Sequence, residues 1–158
     1  MTPTLEDAII LAARAHRGQV DKGGQPYILH LLRVMLRQED ETARLIAVLH
    51  DLLEDTHVTL ADLRTAGYSE QVCAAVDCLT RRPGEAYEEM IERIATNPLA
   101  RQVKLADLAD NLDPKRPVPA GSAAADRQAR YEAARKRLLA GDWDGRAAGP
   151  ALDTAKGP

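Results

Sequence analysis

Apolar residues recur at helical spacing along almost the whole chain, and this period constrains the fold more than any other feature. In the first such segment, Ala8, Leu11, Ala12 and Ala15 fall on one face of a helix. No stretch shows the alternating pattern of a half-buried strand, and we find no internal repeat. Aromatic residues make up only 3% of the sequence, with no Phe, so the core must consist mainly of Leu, Ile, Val and Ala. The sequence therefore predicts an all-α domain.

Capping residues, glycines and prolines divide this pattern into eight predicted helices. Their approximate bounds are 4–17, 26–38, 41–55, 59–67, 69–79, 85–95, 98–112 and 122–140. A chain of 158 residues suggests one domain with one core, which we assign to residues 1–140. Residues 141–158 hold Gly, Pro, Ala and Asp and little that could be buried, so we expect a flexible tail there.

The composition argues against several classes of partner. The net charge is -3, which argues against broad binding to nucleic acid or to an anionic membrane surface. No apolar stretch approaches the ~20 residues that are needed to span a bilayer. The first residues lack the basic and apolar regions of a signal peptide. We therefore expect a cytoplasmic protein that acts on a small molecule, and we leave a homodimer open.

The doublet His50-Asp51 follows an apolar helical run, 43–49, and Glu54 and Asp55 come shortly after it. An imidazole and three carboxylates are costly at the edge of a core unless something compensates them, as a bound cation would. Residues four apart lie on nearly one face of a continuous helix, which would place Glu54 and Asp55 one turn away from the doublet, toward substrate or water. The structural alternative is a hydrogen-bonded histidine next to solvated acids.

Two more polar residues interrupt apolar helical segments, His30 and Asp107. His30 could simply bind a backbone carbonyl, and Asp107 could pair with Lys104 or with an arginine of another helix. The functional alternative joins both with His50 and Asp51 in one metal site. Two imidazoles and two carboxylates suit Mn, Fe, Co, Ni or Zn, and the ligand types alone do not select among these metals.

Such a site predicts a specific chemistry. A bound metal would lower the pKa of its water and polarise a phosphoryl oxygen. Glu54 or Asp55 would then serve as general base or proton shuttle. Asn111 lies one helical turn beyond Asp107 and could fix a water or a substrate group. These residues together predict a metal-dependent phosphohydrolase.

Four separated motifs together resemble the HD-domain hydrolases, and specifically the hydrolase domain of the RelA/SpoT family and its small alarmone hydrolases. They are AHRGQ at 15–19, KGGQPYILH at 22–30, AVLHDLLEDT at 47–56 and VKLAD at 103–107, the last continuing to Asn111. The ordered occurrence of all four is much more specific than any single motif.

This resemblance implies an HD-domain helical bundle, to which residues 122–140 add one C-terminal helix. It implies an Mn²⁺ site whose ligands are His30, His50, Asp51 and Asp107. It assigns the attack on the 3′-pyrophosphate of ppGpp-like alarmones to Glu54 and Asp55. It also places Lys22 and Asn111 in the substrate pocket.

Two positions differ from the family pattern, which has Arg where this chain has Asp21 and Asp113. A guanidinium at the first position can stack on guanine. Four other basic residues could supply substitute charge or be ordinary surface residues: Arg81, Arg82, Lys115 and Arg116. Three functions therefore stay open: a guanosine-3′,5′-bis(diphosphate) 3′-pyrophosphohydrolase, an HD hydrolase for another nucleotide or phosphorylated metabolite, and a non-catalytic metal-containing nucleotide sensor.

Overall fold

The computed structural model of the chain describes residues 1–116 and 120–140. The tail expected at 141–158 lies outside the described residues. Within the described ranges the regular elements are helices, and a single antiparallel bridge joins Val20 and Pro26. The predicted all-α class is confirmed.

The helices in these ranges are α1 (Leu5–Ala15), α2 (Ile28–Leu36), α3 (Glu41–Leu49), α4 (Leu52–Asp55), α5 (Leu60–Thr65), α6 (Glu70–Leu79), α7 (Tyr87–Ala95), α8 (Pro98–Asn111) and α9 (Ser122–Leu139). Side chains cap several of their N-termini, as the sequence predicts. Thr4, Thr59, Ser69 and Asn97 each accept a hydrogen bond from a backbone N–H in the first turn that follows.

The single helix predicted over 41–55 is wrong, because the chain forms two helices there, α3 and α4. His50 and Asp51 lie between them. The backbone of Asp51 has φ −98° and ψ 2°, outside the α-helical range, and this interrupts the helix. The break removes the continuous helix on which the expected one-turn spacing of the doublet from Glu54 and Asp55 depended.

The core surrounds α3, which contacts α1, α2, α6 and α8. Residues 45–49 of α3 are all buried, and the rest of the core is largely Leu, Ile, Val and Ala. Because α3 contacts both α2 and α8, the residue that follows its last turn can meet side chains from these two helices. His30 comes from α2, Asp107 from α8, and His50 follows the end of α3.

The last described helix, α9, covers α7 and α8. Its residues Ala134 and Leu138 are buried against the bundle, and Arg101 of α8 donates a hydrogen bond to the Leu138 carbonyl over 2.7 Å. No helix in the described ranges combines the length and apolar character that a bilayer crossing requires.

Candidate metal centre and active-site cleft

The side chains of His30 and His50 lie next to each other, with their ring centroids 5.5 Å apart and both side chains almost fully buried. Nδ1 of His30 donates to Oδ2 of Asp110 over 2.7 Å, and Nδ1 of His50 donates to the Ala47 carbonyl over 2.6 Å. Both acceptors lack a proton to give, so Nδ1 must carry the hydrogen in each ring. In the neutral rings, therefore, both Nε2 atoms keep a lone pair for a ligand.

These two lone pairs face the carboxylate of Asp107. Oδ1 of Asp107 is 3.1 Å from Nε2 of His30 and 3.7 Å from Nε2 of His50. One ligand atom from each of these three residues lies within 4.8 Å of the others. Nε2 of His50 is buried and lacks a well-formed hydrogen bond to any described residue. A metal ion would satisfy such a nitrogen, which is buried among carboxylates and accepts no hydrogen bond.

Asp51 adds a second carboxylate to this cluster. Its Oδ2 is 3.1 Å from Nε2 of His50 and 3.8 Å from Nε2 of His30. The hydroxyl of Tyr27 donates to the same oxygen over 2.6 Å and so fixes the carboxylate in place. Three of the four predicted metal ligands, His30, His50 and Asp107, thus form one close cluster, and Asp51 lies beside both imidazoles.

Asp107 forms the ion pair with Lys104 that the sequence offers as its structural alternative, and its other oxygen faces the two histidines. Lys104 donates to its Oδ2 over 2.7 Å, while Oδ1 accepts from Asn111 over 2.7 Å and faces the histidines. Burial alone would raise the pKa of Asp107, but Lys104 and the two imidazoles outweigh burial and hold that pKa well below its usual value. The carboxylate therefore stays ionised although it is buried.

The carboxylates also act on the histidines. Burial alone would lower the pKa of His50, but the charges of Asp51 and Asp107 raise it well above its usual value. The pKa of His30 is raised in the same way, by Asp107 and Asp110. The cluster thus attracts positive charge at this point, so that a metal ion must compete with protons for the two rings.

The cluster lies at a cleft of about 860 Å³ that Asp51 and Asp107 help to line. Glu54 and Asp55 of α4 line the same cleft. Oε2 of Glu54 accepts a hydrogen bond from the Arg81 backbone N–H over 3.3 Å. Burial and the charges of Asp51 and Glu54 raise the pKa of Asp55. The structure thus brings both predicted catalytic carboxylates to the cleft at which the histidine and aspartate cluster lies.

Basic residues form another part of the cleft wall, among them Lys22, Arg127 and Arg130. Nη1 of Arg127 is buried without a hydrogen-bond partner among the described residues. Partial burial and the charges of Arg127 and Arg130 lower the pKa of Lys22. This part of the wall would therefore be stabilised by a bound anion.

Aromatic rings complete the wall beside these cations. The ring centroids of Tyr87 and Tyr131 are 6.3 Å apart. Lys104 and Arg130 lie 6.0 Å and 5.7 Å from the centre of the Tyr87 ring, within cation–π range. The hydroxyl of Tyr87 is buried and has no partner among the described residues.

Of the four basic residues that could replace the missing arginines of the family pattern, two line the cleft. Arg81 and Arg116 line the cleft, whereas Lys115 is exposed outside it. Arg82 is exposed as well and lies 3.8 Å from Asp77 of α6. Asn111 lines the cleft, but its Nδ2 donates to Asp107 and its Oδ1 accepts from Arg116, which leaves one amide N–H for a substrate group.

Two groups of site residues were missed by reasoning from the sequence. Asp110, which binds His30, was not considered, although it follows Asp107 by three residues and so shares its helix face. Arg127, Arg130 and Tyr131 belong to α9, which the sequence indicates only as an Ala- and Arg-rich covering helix. Nothing in the local pattern of α9 shows which of its faces meets the cleft.

Comparison with known proteins agrees with this geometry, although no family model matches the chain. The chain is 36% identical to the GTP pyrophosphokinase of Streptomyces coelicolor over 121 residues, which cover 68% of the chain and 14% of that protein. It is 31% identical to the guanosine-3′,5′-bis(diphosphate) 3′-pyrophosphohydrolase of Aquifex aeolicus over 120 residues, covering 68% of the chain and 17% of that protein. The chain thus spans about a sixth of the length of these two relatives.

A solved structure is similar over nearly the whole chain. It was described as a metazoan orthologue of SpoT that hydrolyses ppGpp. The two structures superpose with a TM-score of 0.73 at 26% identity, and the match covers 89% of each chain. The histidine and aspartate cluster, the helical architecture and these similarities agree: the chain is a RelA/SpoT-like domain of the HD type.

Proposed function

We propose that this domain is a metal-dependent phosphohydrolase that cleaves a phosphate or pyrophosphate ester of a nucleotide, with ppGpp as the first candidate substrate. The observation that carries the proposal is the position of the two Nε2 lone pairs. Both face Asp107 at a cleft that also holds two further acids and a cationic wall. The Aquifex aeolicus relative is named for ppGpp hydrolysis and the metazoan protein was described as hydrolysing ppGpp, and both similarities support the choice of substrate.

The metal would be held by two imidazoles and two carboxylates, from His30, His50, Asp51 and Asp107. Neutral imidazole and carboxylate together suit Mn²⁺ as well as neighbouring divalent ions, and we propose Mn²⁺. When bound, such an ion lowers the pKa of water and polarises a phosphoryl oxygen. Asp110 and the Ala47 carbonyl contribute by holding both rings with Nε2 toward the centre.

Glu54 and Asp55 would carry out the proton transfers of the hydrolysis. Glu54 is held in position by the Arg81 backbone N–H, so its carboxylate can take a proton from the attacking water without first searching for its position. The raised pKa of Asp55 suits a carboxyl group that accepts a proton and returns it to the leaving group. These roles follow from the position of both acids in the cleft beside the metal cluster.

The cationic wall would bind the rest of the substrate. The charges of Arg127 and Arg130 contribute to the lowered pKa of Lys22, and Nη1 of Arg127 has no hydrogen-bond partner among the described residues, so a phosphate group between these cations would relieve their repulsion. The remaining amide N–H of Asn111 would contact the same substrate. A nucleotide with phosphate groups at two positions could thus contact the metal and the cationic wall together.

A second candidate substrate class is favoured by Asp21. The RelA/SpoT pattern has Arg at this position, where it can stack on guanine, and a carboxylate cannot replace that plane. The domain would then hydrolyse a nucleotide with another base, using the same metal centre and the same acids.

A hydrolysis panel tests both candidates. The purified chain with Mn²⁺ is incubated with ppGpp, pppGpp, pApp and deoxynucleoside triphosphates, beside a Glu54→Gln variant. We expect release of pyrophosphate from ppGpp and a strong loss of this activity in the variant. Turnover of pApp or of a deoxynucleoside triphosphate without guanine, but not of ppGpp or pppGpp, would support the second candidate, and no turnover by a metal-loaded chain would contradict both.

A further inference from the structure

The side chain of Arg116 connects two separate parts of the cleft. Its Nη2 donates to Oδ2 of Asp21 over 2.9 Å. Its Nη1 donates to Oδ2 of Asp110 over 3.0 Å and to Oδ1 of Asn111 over 2.9 Å. Arg116 is 17% exposed and Asp21 is 9% exposed, so this ion pair is well shielded from solvent.

On one side of Arg116, Asp21 organises a tight turn. Its Oδ1 accepts hydrogen bonds from the backbone N–H groups of Gly23 and Gln25, each over 2.9 Å. Lys22 belongs to this turn and is one of the cleft-lining cations. The position of the 21–25 turn therefore decides where the Lys22 ammonium lies.

On the other side, Asp110 already has two stable partners without Arg116. It is fully buried, accepts from His30 over 2.7 Å, and is bound by Arg33 through two hydrogen bonds of 2.7 Å and 3.1 Å. Asp110 is thus a fixed point in the bundle, to which Arg116 can attach the turn.

The turn needs such an attachment because of its surroundings. Partial burial and the charges of Arg127, Arg130 and Arg116 lower the pKa of the Lys22 ammonium, so Lys22 lies among like charges. The Asp21–Arg116 ion pair is the contact that holds the turn at the cleft despite this like charge.

We propose that Arg116 is a positioning residue that ties the 21–25 turn to Asp110 and so holds Lys22 in place for a substrate phosphate. This inference rests on the proposed function for the role of Lys22, but the tie itself is independent of that function. It also gives Asp21 a role, because its carboxylate joins the turn to Arg116.

Asp21→Asn tests the tie with little disturbance. The amide oxygen of Asn can still accept from Gly23 and Gln25, so the turn can form, but the charge that binds Arg116 is lost. With ppGpp and Mn²⁺, we expect KM to rise about tenfold, because the loss of one charge-assisted hydrogen bond has about this effect. We expect kcat to stay within about twofold. Mn²⁺ affinity should stay within about twofold, because Arg33 still holds Asp110.

Asp77→Asn is the matched control, since it removes the same charge from a partly exposed residue of α6 that does not line the cleft. Arg116→Lys keeps the positive charge but replaces the planar fork by one ammonium group, which cannot reach all three acceptors. Combined with Asp21→Asn, it should raise KM no further than the larger single change, because both act on one interaction. Independent, additive effects on KM would contradict the proposal.

Hydrogen exchange gives a readout that does not depend on activity. In the full chain, we expect the backbone amides of residues 22–25 to exchange faster in Asp21→Asn and in Arg116→Lys than in the wild type and in Asp77→Asn. Unchanged exchange in both tie variants would overturn the inference, as would an unchanged KM. If the wild type hydrolyses no nucleotide, the proposed function fails while the exchange measurement still decides whether the tie exists.

Discussion

Asp110 lies 2.7 Å from Nδ1 of His30, although 80 residues separate the two in sequence. With Nδ1 held in this way, Nε2 of the ring lies 3.1 Å from Oδ1 of Asp107. In His50, Nδ1 donates to the Ala47 carbonyl, and this hydrogen bond orients the second ring in the same way. The two rings are thereby oriented before any ion binds, and this orientation underlies the predictions that follow.

Asp110→Asn should weaken metal binding. The amide can still accept from His30, but it lacks the charge that holds the ring and that pairs with Arg33 and Arg116. We expect Mn²⁺ affinity to fall about 10–100-fold, the usual effect of removing a carboxylate behind a metal-binding histidine. Calorimetric titration with Mn²⁺ measures it, with circular dichroism to verify the fold and Asp77→Asn as control. Equal affinity in variant and wild type would rule out this role for Asp110.

Tyr27→Phe should leave the fold intact but loosen Asp51. The change removes the hydroxyl, and with it the 2.6 Å hydrogen bond to Oδ2 of Asp51, while the aromatic ring stays. We expect the free energy of unfolding to fall by about 1.5–3 kcal/mol, the net value of one hydrogen bond to a charged group. The measurement is urea denaturation followed by circular dichroism. A destabilisation well beyond this range would mean that the hydroxyl supports the fold more widely than this single contact.

Glu54→Gln should separate catalysis from metal binding. Glu54 is exposed in the cleft and is absent from the inner cluster of His30, His50 and Asp107. We expect kcat for the best substrate of the panel to fall about 10²–10⁴-fold, the usual contribution of a general base. Mn²⁺ affinity should be unchanged. Glu88→Gln, an exposed change on α7, is the control. A kcat equal to that of the wild type would contradict the general-base role of Glu54.

The loop between α6 and α7 should respond to acid through Glu85. Arg93 binds both oxygens of this carboxylate over 2.8 Å and also donates to the carbonyls of Cys78 and Thr80. Hydrogen bonds from Arg93 and from the Arg82 backbone lower the pKa of Glu85 from 4.5 to about 2.

Because this pKa is lower in the folded state, the carboxylate stabilises the fold fully above about pH 4.5, and the contribution disappears as the pH falls toward 2. Glu85→Gln should therefore have a lower Tm than the wild type at pH 7, and the difference should shrink at pH 3. Calorimetry at several pH values measures both. A difference that stays constant with pH would contradict the assignment of the shift to this ion pair.

Much of the fold could be predicted because its signals are local. The caps at Thr4, Thr59, Ser69 and Asn97 are short-range hydrogen bonds that residue type alone indicates. The break at Asp51 could not be predicted, since the apolar pattern and the residue types on both sides favour a continuous helix. There the tertiary position of Asp51 between Tyr27 and His50 prevails over local propensity.

The site residues also differ in whether local sequence signals could predict them. His30, His50 and Asp107 are conspicuous in the sequence because each interrupts an apolar segment that the fold buries. Arg127 and Arg130 are not conspicuous, since α9 is rich in charges and only its docking on α7 and α8 selects the face that meets the cleft. The pairing of Asp21 with Arg116 joins residues 95 positions apart, and no local pattern specifies it.

The account depends above all on one metal ion held between α2, α3 and α8. Equilibrium dialysis of the full chain against Mn²⁺, followed by elemental analysis, measures the bound metal per chain in the wild type and in His50→Ala, with a melting curve for each. The account predicts one tightly bound Mn²⁺ in the wild type and loss of that ion in a variant that still folds. An equal amount of bound Mn²⁺ in both proteins, or none in the wild type, would contradict it.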